Sequence, residues 1–277
     1  MEWSCSIETK EEQMETIRSS DGTLIASQRS GQGTPLVLVH GASADHTRWA
    51  PVLPMFEQSF TVYAVDRRGR GGSGDTQPYA FEREVEDMVA VVNSIAEPVF
   101  LLGHSSGAIL CLEAACRTTH VRKLVLYEPP IPIPPGIESY PSATLSRIQA
   151  LLDGGDREGA LTTFCREVVH VPPHEMEILR SAPNWSARVA AAYTLPHEMR
   201  GVNEYVFEPT RFGNLMIPTL LLLGGESPAS FKTAIETVHA ALPESQLRIL
   251  AGQQHAAINT APEVFTREVV EFLTQAG

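Results

Sequence analysis

Residues 99–110 constrain the fold more than any other stretch of the chain. Val99-Phe100-Leu101-Leu102 is an apolar run of strand character that ends at Gly103, and a small-residue segment of helical character begins at Ser106. Between them stands Gly103-x-Ser105-x-Gly107. This is the form of a sharp strand-to-helix turn that lifts a serine hydroxyl above a sheet. Such a turn strains the serine's backbone, and side chains at 103 and 107 would collide with the neighbouring strand and helix. Glycine at both positions removes that collision. A serine there sits at a helix N-terminus, where outward N–H groups favour a developing negative charge. Taken alone, the pattern also fits an ordinary strand–turn–helix with a capping serine. Its weight comes from the strand before it and the helix after it.

Apolar runs of the same kind recur along the chain. Leu36 to Val39, Thr61 to Val65, Lys123 to Tyr127, Ile217 to Leu223 and Leu247 to Leu250 read as strands; the continuous runs among them mark strands buried on both faces. Phe81 to Ile95, Ser106 to Arg117, Phe231 to Leu242 and Ala261 to Thr274 read as helices, and Trp49, Val52, Leu53 and Phe56 fall at helical spacing. Strands alternating with helices predict an α/β fold, a mostly parallel central sheet with helices on both faces. Glu15 to Ser30 gives two short strand-like runs around the turn signal Ser20-Asp21-Gly22. The rhythm breaks at Ile131-Pro132-Ile133-Pro134-Pro135-Gly136, and from about Ser142 to Arg211 the pattern is helical throughout. The reading is a loose tail over 1–14 and one domain over 15–277, with a helical cap inserted at about 131–212.

With 277 residues and 43% hydrophobic content, the chain can bury a sizeable core. A net charge of -12 argues against a nucleic-acid or anionic-membrane partner. Cys5, Cys111, Cys116 and Cys165 form no C-x-x-C pair and read as reduced thiols in a cytoplasmic protein. No secretory signal is visible at the N-terminus, and no apolar run approaches the roughly 18 residues that span a bilayer. No H-E-x-x-H occurs, so no metal is expected. The loop Asp66-Arg67-Arg68-Gly69-Arg70-Gly71-Gly72-Ser73-Gly74 has no G-x-x-x-x-G-K-[ST] and no G-x-G-x-x-G following directly on a strand, which argues against phosphate binding.

In a parallel sheet, the loops leaving the carboxyl ends of the strands open on one edge. His40-Gly41-Ala42, Asp66 to Gly74, Ser105, Glu128 or Glu226, and His255 all lie on such loops. A serine, an acid and a histidine in that chain order form the triad order of one large fold. In these segments, from about residue 16 to 275, the chain resembles the α/β-hydrolase superfamily in its single-domain, cofactor-free branch of serine esterases and lactonases. The resemblance implies Ser105 as nucleophile, His255 as general base, and the amides of Ala42 and Ser106 as an oxyanion hole. In most relatives the acid is an aspartate, and Gly224-Gly225-Glu226-Ser227-Pro228 puts Ser227 at its place. Two substitutes remain: Glu128 at the end of the preceding core strand, which is favoured, and Glu226, one residue early.

The expected activity is cleavage of a small ester, thioester or lactone through an acyl-enzyme, without cofactor. Phe164, Tyr193 and Leu195 are candidates to line the pocket. The alternatives are acyl transfer or perhydrolysis of the haloperoxidase-like kind, and a non-catalytic ligand binder on the same fold. The absent aspartate at 227 is what leans toward the binder. The expected partner is the small-molecule substrate. A homo-oligomer stays open.

Overall fold

Eight strands form one sheet in the order β1-β2-β4-β3-β5-β6-β7-β8. They are β1 Gln13–Arg18, β2 Leu24–Gly31, β3 Thr34–Val39, β4 Phe60–Val65, β5 Val99–His104, β6 Val121–Tyr127, β7 Thr219–Gly224 and β8 Ser245–Leu250. The structure is a computed structural model that describes residues 13–275. β1 and β2 pair antiparallel, as do β2 and β4, and every later pairing is parallel. The hairpin between β1 and β2 turns at Gly22, whose φ of 91° suits glycine. The expected tail over 1–14 ends earlier than read, because Gln13 and Met14 already pair with β2; residues 1–12 lie outside the described residues.

The strand alternation divides the core between the two faces. Val37 and Val39 of β3 and Leu101 of β5 pack on one side, with Val85 and Met88 of helix Phe81–Ser94, the helix Ser106–Ala115, and Phe231 and Ile235 of helix Ala229–Ala241. Leu36, Leu38 and Leu102 point the other way, against Trp49, Phe56, and Phe265 and Val269 of helix Pro262–Thr274. All six residues of β5 are buried, as a central strand requires. The helical spacing read from Trp49 to Phe56 resolves into a short 3-10 turn, His46–Trp49, and a one-turn helix, Leu53–Phe56.

Between β6 and β7 the chain forms only helices: Ser142–Asp153, Arg157–Glu167, Pro173–Ser181, Trp185–Ala190 and Leu195–Glu204, with short 3-10 turns. Their buried apolar residues, among them Ile148, Leu161, Phe164 and Met199, continue the first core cluster rather than building a separate one. Among the described residues, no helix is long and apolar enough to cross a membrane.

Candidate active site

Gly103-x-Ser105-x-Gly107 builds the turn its sequence predicts. β5 ends at His104, the helix begins at Ser106, and Ser105 between them holds φ 56°, ψ −130°. A backbone held in such a region costs about 1–3 kcal/mol and persists only where its surroundings enforce it. Here the enforcement is steric. A Cβ on Gly103 would stand 2.5 Å from the Gly107 carbonyl oxygen, and one on Gly107 would stand 2.4 Å from the carbonyl oxygen of His40. The Ser105 amide donates to the Tyr127 carbonyl of β6 at 2.9 Å.

β3 ends opposite this turn at His40-Gly41. A Cβ on Gly41 would lie 2.7 Å from Ser105 Cβ, so only glycine lets the two loops approach this closely. His40 Nδ1 donates to the Gly41 carbonyl at 2.8 Å, and its Nε2 accepts the Arg67 amide at 3.2 Å. Burial, with Arg67 and Arg70 nearby, lowers its pKa to about 4, so the ring is a neutral brace for the turn. Ala42 lines the cavity in front of Ser105. On the other side, Ser106 Oγ accepts from Arg67 Nη1 at 3.0 Å.

His255 lies on the loop after β8. Its Nδ1 donates to Glu128 Oε2 at 2.6 Å, and both groups are buried. Its ring stacks on Phe231 at 4.7 Å and lies 4.5 Å from His104. Tyr127 anchors the loop on either side of it, with its hydroxyl donating to the Gln254 carbonyl and accepting the Ala257 amide. His104 Nε2 donates to the His255 carbonyl at 3.2 Å; burial, then the neighbouring His255 and Arg48, keep His104 well below its ordinary value and therefore neutral.

Of the two acids, the structure brings Glu128 to His255 and leaves Glu226 exposed at the surface, where its amide bonds the Gln253 carbonyl. Glu128, directly after β6, has φ 47° and is a second strained residue of this cluster. Its free oxygen, Oε1, accepts the Gly224 amide at 2.7 Å and the Ser227 hydroxyl at 2.5 Å. Ser227, at the position where an aspartate is usual, thus holds the glutamate that reaches across from the neighbouring strand. The sequence offered no signal for that role beyond the serine's unexpected presence.

Ser105 and His255 open into one cavity of about 40 Å³. Of the three pocket candidates, Phe164 lines it. Tyr193 and Leu195 do not: the Tyr193 hydroxyl donates to the Gly69 carbonyl at the surface, and Leu195 is consumed in packing among the helices. Helical spacing marks an apolar face without saying whether it faces the core or a pocket. Arg48 and Arg188, which the sequence did not single out, do line the cavity.

The glycine-rich loop after β4 does not present its cations to solvent. Arg67 and Arg70 pair with Glu84 and Glu198, and Arg68 pairs with Asp87 and Asp21.

The model of the alpha/beta hydrolase family matches residues 36–268. An alpha/beta hydrolase from Sphaerobacter thermophilus superimposes with a TM-score of 0.80 and is 39% identical, covering 94% of this chain and 100% of that one. The esterase RhEst1 from a Rhodococcus species has the same fold, with a TM-score of 0.76 at 23% identity, covering 95% and 99% of the two chains. An uncharacterized protein of Mycobacterium tuberculosis is 24% identical over 275 residues, 93% of this chain and 80% of the relative.

Proposed function

Because the chain belongs to the alpha/beta hydrolase family, we propose that it is a serine hydrolase that cleaves a small ester, thioester or lactone through an acyl-enzyme on Ser105. The observation that carries this reading is the Glu128–His255 pair, 2.6 Å apart, opening with Ser105 onto one cavity. An imidazole whose Nδ1–H is held by a carboxylate presents Nε2 as a base.

In the proposed reaction, Ser105 Oγ attacks the substrate carbonyl carbon while His255 Nε2 takes its proton. The oxyanion forms against the amides of Ala42 and Ser106; losing one such donor costs about 3–4 kcal/mol of transition-state stabilisation in enzymes of this type. Collapse breaks the bond to the leaving alcohol or thiol, which receives the proton from His255. Water then attacks the acyl-enzyme, gives its proton to His255, and releases the acid and free Ser105. Glu128 keeps the imidazole oriented and stabilises its protonated form. The helices between β6 and β7 act as a cap over the pocket. The reading as a non-catalytic binder leaned on the missing aspartate, and Glu128 seated on Ser227 weakens that lean.

Hydrolysis of short p-nitrophenyl esters tests the proposal. Wild type turns them over, Ser105→Ala does not, and mass spectrometry finds the acyl adduct on Ser105. Turnover that survives in Ser105→Ala, or an adduct elsewhere, removes the serine from the reaction.

A further inference from the structure

The cavity in front of Ser105 carries charge that its own walls do not neutralise. Two arginines, Arg48 and Arg188, are among its lining residues, and no aspartate or glutamate is. Arg48 is 5% exposed; its Nη1 donates to the neutral Asn259 side chain. Arg188 stands on the helix Trp185–Ala190, with its Nη2 3.6 Å from Cys165 Sγ and its guanidinium over the Trp185 ring. The buried Nε of Arg188 has no hydrogen-bond partner. Among the described residues, neither guanidinium makes an ion pair. The contrast within the same molecule is sharp, because the buried Arg67, Arg68 and Arg70 all meet carboxylates within 3.3 Å.

The two cations also act on each other. Burial, then the nearby Arg188 charge, pulls Arg48 down to about 9, still cationic at neutral pH. Of the buried acids outside the lining, Glu128 is held by His255, the Gly224 amide and the Ser227 hydroxyl; another is Glu175. Burial raises its pKa, and its electrostatic neighbours are His174, His255 and Glu128 rather than either arginine. A like-charged pair, one member buried and the other half-buried, is unfavourable without a counterion, and a bound anion relieves it. Planar guanidiniums suit a carboxylate, which can accept two parallel hydrogen bonds.

We propose that this cavity selects acyl substrates that carry a second, anionic group, a short acyl chain ending in a carboxylate, with that carboxylate seated against Arg48 and Arg188. The proposal rests on the serine-hydrolase reading and names the substrate class for it. The chain is short because the cavity is small. The preference is local: the molecule's net charge of -12 repels anions at long range, so an anion gains only where the two arginines meet it.

Mono-p-nitrophenyl glutarate and p-nitrophenyl pentanoate have the same acyl chain length and differ in a terminal carboxylate, so their kcat/KM ratio reads the proposed contact. Background hydrolysis is subtracted with Ser105→Ala. Wild type favours the glutarate ester by at least about tenfold, the lower end for a hydrogen bond to a charged group. Arg188→Met brings the ratio down to about one, and Arg188→Lys, which keeps the charge and loses the fork, retains part of the preference. Arg188 is half-buried, and thermal unfolding of both variants checks that they remain folded. A wild-type ratio of one or less, with pentanoate turnover that disappears in Ser105→Ala, overturns the anionic-substrate proposal and leaves the serine reading standing. A ratio that Arg188→Met does not change also overturns it. No turnover of either ester, together with no labelling of Ser105 by an organophosphonate, overturns the serine reading and this proposal with it.

Discussion

At the scale of single residues, the assignment turns on which carboxylate faces His255. Glu128 donates no proton and accepts three: from His255 Nδ1, the Gly224 amide and the Ser227 hydroxyl. Glutamine in its place keeps the shape, yet its amide nitrogen cannot accept from the imidazole, and the histidine is left in the wrong tautomer. Glu128→Gln is therefore expected to lower kcat on a p-nitrophenyl ester by about 10³–10⁴, the scale of the equivalent change in serine triads. Glu226→Gln, at an exposed site, stays within about twofold, as surface changes away from a site do. Equal activity in the two variants would sink the assignment of Glu128. Ser105 and His255 were legible from the sequence because each is fixed by its own segment, one by flanking glycines and the other by its place after the last strand. The acid was not, because Glu128 and Glu226 both follow core strands. What separates them is a contact between residues 99 apart, Ser227 and Glu128.

At the scale of elements, the site depends on how closely two backbones approach. The helix Ser106–Ala115 starts against the end of β3, and a Cβ on Gly107 would stand 2.4 Å from the His40 carbonyl oxygen and 2.5 Å from that of Val39. Neither neighbour is a side chain that can swing away. Gly107→Ala is expected to destabilise by about 1–3 kcal/mol, as overpacking does. At roughly 2–4 °C per kcal/mol for a chain of this size class, calorimetry resolves the shift. Ester turnover falls with it, since the displaced strand end carries Ala42. Gly213→Ala, where the nearest atom is 3.8 Å away, is the control and stays within about 0.5 kcal/mol. Equal melting temperatures for the two variants would mean that the turn yields. The glycine spacing foretold this packing because collision is a local consequence of the turn. The buried strands were legible for the same reason: continuous apolar runs have one cheap environment. The stretch from Trp49 to Phe56 was less so, because Pro51 and Pro54 break what its spacing joins.

At the scale of the whole molecule, distant segments meet in a buried charge network beneath the site. Arg67 pairs with Glu84 at 2.7 Å and Glu198 at 3.0 Å, and Arg70 pairs with the same two acids at 3.3 and 2.7 Å. All four side chains are at most 1% exposed. The loop after β4, the helix Phe81–Ser94 and the helix Leu195–Glu204 are thereby tied together, and Arg67 passes the constraint on to Ser106 Oγ. None of this was legible, because partners 131 residues apart leave no local pattern and the loop reads only as rich in glycine and arginine. Glu198 feels opposing influences: burial raises its pKa, but Arg70 and Arg67 outweigh it and hold the group at about 2, against 4.5 for an ordinary glutamate. A folded value below the unfolded one means that its contribution is fully present above about pH 5 and is lost as the pH falls toward 2. Glu198→Gln leaves two buried guanidiniums sharing one carboxylate, so it is expected to cost about 3–5 kcal/mol at neutral pH, the usual penalty for breaking a buried pair from one side. That gap between variant and wild type should narrow steadily below pH 5, because the wild type loses its own Glu198 contribution there while glutamine has none to lose. Urea unfolding of both proteins at pH 7, 5 and 3 measures the gap. A gap that stays constant across that range would show that Glu198 acts through its shape and hydrogen bonds to Thr194 and Ser43 rather than through its charge.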